Sequence, residues 1–450
     1  MVFDAVVHRH RHLLPAMAAA AAMLLAPAGR AYAQAPGQTD TGAQSAPQAA
    51  KPYRGLFGGG SAPSPGRQQF DLTTNVYEEY GTTHDAAVAG SITSTTPAWF
   101  TAAQGRLAYQ STGQRNSVAL RLDGNVRYYR DTHETTLPGA RAEIAFNSGV
   151  GTRASSTVSF TASAEYQPYY VLPIFQASVA PAAETAILPT NRDDLLYRRT
   201  GYIYGQTFGF QRPLSQRTYF AVNQEARVTR TQSADLDVDN LRAGAFLGFR
   251  LSQHASLLTG YAYQFGQSGP QRSVQTIGQD VVLTVDYRRP LPRARRTTFG
   301  FSSGATRVTS GNTAQWFVLG TTNVRYELDK GWFLQVDFAR RMQMVEGFTA
   351  PFFANTVAGS LGGFLGRRVE VLAAGAYSQG NVGFGSDSYR STQGSGRMRL
   401  ALARYVAIDV EGLLNKYTFD QQVPLPGLLP ATLDRWAVRC NVALWLPMVR

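Results

Sequence analysis

The sequence is short of several things that proteins of 450 residues ordinarily use. It has one cysteine, Cys440, which excludes an intrachain disulfide and a metal cluster built on thiolates. Lysine occurs only at Lys51, Lys330 and Lys416, and charged residues make up 16% of the chain, so the net charge of +13 is carried by arginine. Those arginines are spread one or two per segment, and no zinc-finger, helix-turn-helix or RNA-binding signature accompanies them, which argues against a nucleic-acid partner. Beyond the N-terminus there is no run of eighteen apolar residues to make a transmembrane helix. Mean hydropathy is −0.20, a measure that misses an alternating strand because one face cancels the other. Past residue 33, histidine occurs only at His84, His133 and His254, none on a strand-like segment beside a serine of the same parity. HExxH and P-loop patterns are absent, and a general base must be held within hydrogen-bond reach of its target. The expectation is therefore no enzyme and no cofactor; an extracellular protease using His84 or His133 with a loop aspartate is the remaining catalytic alternative.

What the sequence does contain is alternation. In residues 115–130, RNSVALRLDGNVRYYR, Val118, Leu120, Leu122, Val126 and Tyr128 share one parity, and Ser117, Arg121, Asp123, Asn125 and Arg127 the other. A strand sends successive side chains to opposite faces, so this segment reads as a strand with one apolar and one hydrogen-bonding face. The sorting returns at Ala140, Ala142, Ile144 and Phe146 against Arg141 and Glu143, and at Trp436, Val438, Cys440, Val442, Leu444 and Leu446 against Arg439 and Asn441. About eighteen such segments can be drawn, most of them roughly 12–16 residues long, where a tilted strand needs roughly nine to eleven to cross a hydrocarbon core.

Short connections are expected at residues 112–114, 151–152, 213–215, 252–254, 289–295, 329–331, 367–368 and 403–404. Longer ones are expected at 81–96, 131–138, 171–198, 231–237, 267–271, 344–354, 380–387 and 420–434. Short periplasmic turns alternating with longer external loops are the mark of a bacterial outer-membrane barrel. The fold class expected is all-β: a single closed antiparallel transmembrane β-barrel of about 18 strands, with 16 as the fallback, closing on an even count. Closure follows from the solvent, because an open edge in hydrocarbon leaves backbone groups unpaired at several kcal/mol each. The 171–198 loop is open to two readings, a lumenal constriction or a mobile surface loop. Its Asp193-Asp194 pair lacks the alternating oxygen ligands of a calcium loop.

Ahead of the barrel, residues 1–33 pair basic Arg9 and Arg11 with an Ala, Leu and Met-rich stretch and end in Ala31-Tyr32-Ala33, the layout of a secretory signal peptide cleaved near Ala33. Residues 34–66, rich in Ala, Pro, Gln, Gly and Ser, read as a flexible periplasmic lead-in. The barrel then takes residues 67–450.

Charges on the polar faces cannot be left unpaired in a dry interior. Arg121, Asp123, Arg127, Arg141, Glu143, Glu225, Arg227, Arg242, Arg250, Arg325, Glu327, Arg397, Arg399 and Arg439 are the lumen-facing candidates. They fit either a wet channel, whose arginine excess favours anions, or carboxylate–arginine ladders that satisfy one another inside a closed barrel. At about 18 strands the interior is too wide for side chains alone to fill, which favours the channel.

The chain resembles the β-barrel porin-like outer-membrane proteins. The resemblance rests on FDLTTNVYEEYG (70–81), RNSVALRLDGNVRYYR (115–130), RLSQHASLLTGYAYQFG (250–266) and VALWLPMVR (442–450), and covers the chain from about residue 66. It implies passive passage of small solutes and, in some relatives, association with exopolysaccharide-export components. One departure is the ending Pro447-Met448-Val449-Arg450, where many such barrels carry a terminal aromatic; either Trp445 stands in or insertion uses another signal. The expected partners are outer-membrane lipid, the barrel-assembly machinery during insertion, small solutes and a second copy in a homo-oligomer. A non-conducting structural or envelope-assembly barrel is the alternative function.

Overall fold

The computed structural model describes residues 67–449 apart from 83–96, 130–133, 151–155, 172–194, 232–236, 253–254, 269–273, 288–296, 330, 346–347, 349, 386, 421–422 and 424–430. The expected leader and lead-in, the histidines His84, His133 and His254, and the Asp193-Asp194 pair lie outside the described residues.

Alternation becomes strand throughout. In chain order these are β1 (Arg67–Thr82), β2 (Pro97–Thr112), β3 (Asn116–Tyr129), β4 (Glu134–Val150), β5 (Ser156–Val171), β6 (Leu195–Pro213), β7 (Thr218–Thr231), β8 (Val238–Arg250) and β9 (Ala255–Ser268). The second half holds β10 (Val274–Tyr287), β11 (Thr297–Ser310), β12 (Thr313–Asp329), β13 (Trp332–Gln343), β14 (Phe352–Leu365), β15 (Val369–Val382), β16 (Ser388–Ala401), β17 (Val406–Phe419) and β18 (Thr432–Val449). Each pairs antiparallel with its neighbours in sequence, and β1 pairs with β18 from Phe70↔Val449 to Gly81↔Ala437. The sheet is thus a closed cylinder of 18 strands, the larger of the two expected counts. Among the described residues no helix is long and apolar enough to cross a membrane; the crossing is made by strands.

The two faces separate by solvent. On β18, Leu433, Arg435, Ala437, Arg439, Asn441, Ala443 and Trp445 are buried, while Trp436, Val438, Val442, Leu444 and Leu446 are exposed. The pattern repeats on β3, where Leu120, Leu122, Val126 and Tyr128 are exposed and Arg127 is buried. An apolar band facing out around a polar interior is the inversion that a lipid solvent selects. Trp445, considered above as a stand-in for a terminal aromatic, turns inward against Ala401, Ala407 and Ala443.

Three departures from the expected boundaries have local causes. The 131–138 connection is shorter than expected, because β4 begins at Glu134 and takes up Pro138 inside a bulge. Asn125 faces Gly139 but Arg127 faces Thr136, so two residues of β4 share the place opposite Val126, and proline needs no ladder hydrogen bond there. The 171–198 connection is likewise trimmed, since β5 runs to Val171 and β6 starts at Leu195. The third is a turn with no counterpart among the expected connections: Gly311-Asn312 joins β11 to β12 with Ser310 opposite Thr313. Gly311 has φ +57, the left-handed value that a two-residue hairpin demands and glycine supplies without strain.

A charge on the outer band should be costly and one on the inner wall tolerated. Val438→Arg is expected to destabilise the barrel by about 2–4 kcal/mol if it lies near the bilayer midplane, and Ser395→Arg, on the inner parity of β16, by much less. Reversible urea unfolding in lipid vesicles measures both.

Candidate functional site

The inner wall carries the polar chemistry, and register decides which charges meet. On β2 to β4, Asp123 stands opposite both Arg106 and Arg141, and Arg121 opposite Glu143. Asp123 accepts from Arg106 Nε and from Arg121 Nε, each at 2.6 Å, and Arg141 pairs with Glu143 along its own strand. Arg127, further up β3, is fully buried with its guanidinium 4.8 Å from the centre of the Phe100 ring. On β7 and β8, Glu225 and Arg227 share the inner parity, and Glu225 faces Arg242. Arg242 reaches across β9 to Asp280 at 3.1 Å, a span left open by the small side chain of Ala262 between them. Arg250 sits exposed at the foot of β8. On β12, Arg325 lies 4.6 Å over the Phe333 ring and Glu327 is exposed near the rim.

The strands on either side of the closure hold the densest cluster. Arg439 donates to Glu79 across the β1–β18 seam at 2.8 Å and to Glu411 on β17 at 3.1 Å, with its guanidinium 4.9 Å over Tyr77. Arg435 lies 3.9 Å from the other oxygen of Glu79. One strand on, Arg399 donates to Asp409 at 2.6 Å and to Glu370 at 3.4 Å, and Arg397 approaches Glu370 at 3.9 Å. Glu79 and Asp409 have no exposed side-chain surface. In this sector Arg397, Arg399, Arg435 and Arg439 are matched by Glu79, Glu370, Asp409 and Glu411, so the arginine excess read from composition is cancelled here. Buried charges of this kind hold only as a set, since each supplies the counter-ion another has lost from water.

Sequence parity puts every candidate on the polar face but does not single out Glu79, Arg106 or Glu370. Parity alone marks Arg106 and Glu370 as inward, beside Gln104 and Leu372; nothing local marks Glu79 as the partner of a residue 360 positions away.

A second feature restricts the interior. Met342, Met344, Val345 and Phe348, where β13 gives way to β14, turn into the lumen instead of following the wall. Met342 has the outer parity of β13, yet its methyl lies against Gly278 on the inner wall of β10, where a Cβ would sit 3.1 Å from it. Met344 lies against Gly266 of β9 in the same way, where a Cβ would come within 2.7 Å. Side chains at either glycine would push the hairpin back. Behind it Val345, Phe348, Phe352, Tyr389, Tyr417 and Phe419 form an apolar cluster, and burying each aliphatic or phenyl group contributes roughly 1.5–3 kcal/mol. The lumen is therefore unequal: Glu225 and Arg242 stay exposed on the β7–β8 side, while the charges of β15 to β18 are mostly shut away. Among the described residues no group of His, Cys, Asp or Glu side chains is arranged to hold a metal ion.

These features define a transmembrane β-barrel of the bacterial outer-membrane kind, with an apolar girdle, a polar inner wall and a hairpin folded into its bore. No family model matches the sequence, and no curated relative does. Solved structures similar to the chain include Pseudomonas aeruginosa OccK2 (OpdF) in complex with glucuronate, 12% identical over 85% of this chain and 98% of that one, TM-score 0.45. Pseudomonas aeruginosa OpdL is 11% identical over 85% and 99%, TM-score 0.40. The ferric-catecholate import receptor Fiu from E. coli K12 is 10% identical over 86% and 82%, TM-score 0.40.

Removing one member of the buried cluster should expose the cost of the rest. Arg439→Ala strands Glu79 and Glu411 and is expected to cost about 3–5 kcal/mol in urea unfolding. Combining Arg439→Met with Glu79→Gln should recover a large part of that loss.

Proposed function

We propose that the protein is a porin-like channel for passive passage of small hydrophilic solutes, without catalytic activity, and that it favours anions modestly. The observation that carries the proposal is the open polar sector beside the hairpin, where Glu225, Arg242 and Arg250 remain exposed on the inner face of a barrel of this width. Barrels of 16 to 18 strands enclose more space than inward side chains fill. Anion preference rests on Arg121, Arg141, Arg242 and Arg250, which interleave with Asp123, Glu143 and Glu225, so the field is mixed and the preference small. The hairpin tip with Met342, Met344 and Phe348 sets the bore in this account, the role considered above for the 171–198 loop.

A second reading has one observation in its favour. The neutral, buried ion-pair cluster and the apolar cluster behind the hairpin are what a closed barrel would use to seal itself, which suits a structural or envelope-assembly component, with or without polysaccharide-export partners.

Planar-bilayer recording of the purified barrel separates the two. A channel gives defined conductance steps, and Arg242→Gln with Arg121→Gln lowers the anion-to-cation permeability ratio without closing the pore. Met344→Ala with Phe348→Ala should raise the conductance. Electrical silence after verified insertion removes the channel reading.

A further inference from the structure

The cylinder is complete at its seam, but some ladders stop short of the outer rim, among them those between β4 and β5 and between β12 and β13. The ladder between β12 and β13 ends at Gly320↔Arg340. Beyond it, residues 313–319 of β12 pair only with β11, and Arg341, Met342 and Gln343 pair only with β14. The interruption follows from the inward hairpin: strand ends that leave the wall to reach Gly266 and Gly278 cannot also stay bonded to β12. Unpaired backbone is costly in hydrocarbon and cheap where water reaches it. Trp316, 63% exposed on the outer face of the unpaired stretch, marks this height as the membrane interface, where tryptophan concentrates.

A cavity of about 170 Å³ occupies the gap, and its lining comes from both faces of the sheet. Phe317 has the inner parity of β12 and Val318 the outer; Arg341 has the inner parity of β13 and Arg340 the outer. A cavity lined by residues of both parities lies between the two strand ends. Phe317 and Phe353 stack across it with ring centres 3.6 Å apart, and Phe384 continues the stack 6.1 Å from each. Arg340 is exposed and makes no ion pair among the described residues. The lining therefore joins an aromatic slot to guanidinium groups at the level where amphiphile headgroups sit.

We propose that this gap is a lateral window that binds an amphipathic monoanion, a carboxylate on a short alkyl body, and admits it between the outer leaflet and the lumen. The alkyl body lies along Phe317, Phe353 and Phe384, and the carboxylate accepts hydrogen bonds from Arg340. The proposal requires only that the barrel sit in the outer membrane, and it is independent of whether the lumen conducts ions.

The test uses the full-length barrel in lipid nanodiscs with 8-bromooctanoate as the probe, since bromine quenches a nearby indole. The signal of Trp316 is isolated as the difference between the wild type and Trp316→Phe. Quenching should saturate, be competed by octanoate and not by acetate, and weaken about tenfold in Arg340→Gln, the loss expected for one charge-assisted hydrogen bond. Leu319→Trp, which fills the cavity from β12, should abolish the saturable part and provides a second variant should Arg340→Gln fail to fold. Quenching that rises linearly, matches that of 8-bromooctanol and is the same in both variants is partition into the bilayer only and overturns the window. Saturable quenching in a barrel that passes no current keeps the window and removes the channel; conduction with linear quenching does the reverse.

Discussion

A peptide group inside hydrocarbon has no water to turn to, and every other property of this molecule follows from how the chain meets that constraint. An extended strand can satisfy its N–H and C=O groups only through neighbours, so a sheet that crosses the membrane must have no first and last strand. Here β1 and β18, at opposite ends of the sequence, supply each other's missing partner. Proline is accommodated where it costs no ladder bond, at the Pro138 bulge of β4 and at Pro447, beside the register shift near the end of β18. Where pairing is given up, as between the ends of β12 and β13 and of β4 and β5, it is toward the rim.

Closure turns a local alternation into a partition of space. Leucine, valine and tyrosine on one parity become a continuous apolar surface, and arginine, aspartate and glutamate on the other become a wall around a common interior. What that interior does depends on a further division. From β15 to β18 opposite charges are matched and buried, which holds the seam together through side chains as well as backbone. Around β7 and β8 the same residue types remain exposed. The inward hairpin separates the two regimes, and it fits because Gly266 and Gly278 offer no side chain where Met344 and Met342 arrive. A single device thus narrows the bore, seals one side of it and opens the gap at the rim.

Period-two alternation is a property of neighbours in the chain, so it was legible from the sequence wherever it occurred. It assigned Arg121, Asp123, Arg127, Arg141 and Glu143 to one face of their strands, and it led to an all-β barrel of about 18 strands. It also carried enough information to mark Arg106 and Glu370 as inward, and the Gly311-Asn312 pair was a readable hairpin signal. None of these needed long-range information, because a strand's facing is set by the geometry of one residue and the next.

Pairing was different. Whether Arg439 meets Glu79, whether Arg242 bonds to Asp280 rather than to Glu225 opposite it, and whether an arginine surplus survives as a field or is neutralised all depend on register between segments. Register across the seam is fixed only when the sheet closes. The inward bend of the hairpin is equally invisible in the alternation, since Met342 keeps the parity of an outward residue and finds the inner wall only because the strand carrying it leaves the cylinder. Sequence alone determined which solvent each strand face was built for; the tertiary structure decided which charges are spent on one another, because that choice is made by distances between strands that the chain order does not contain.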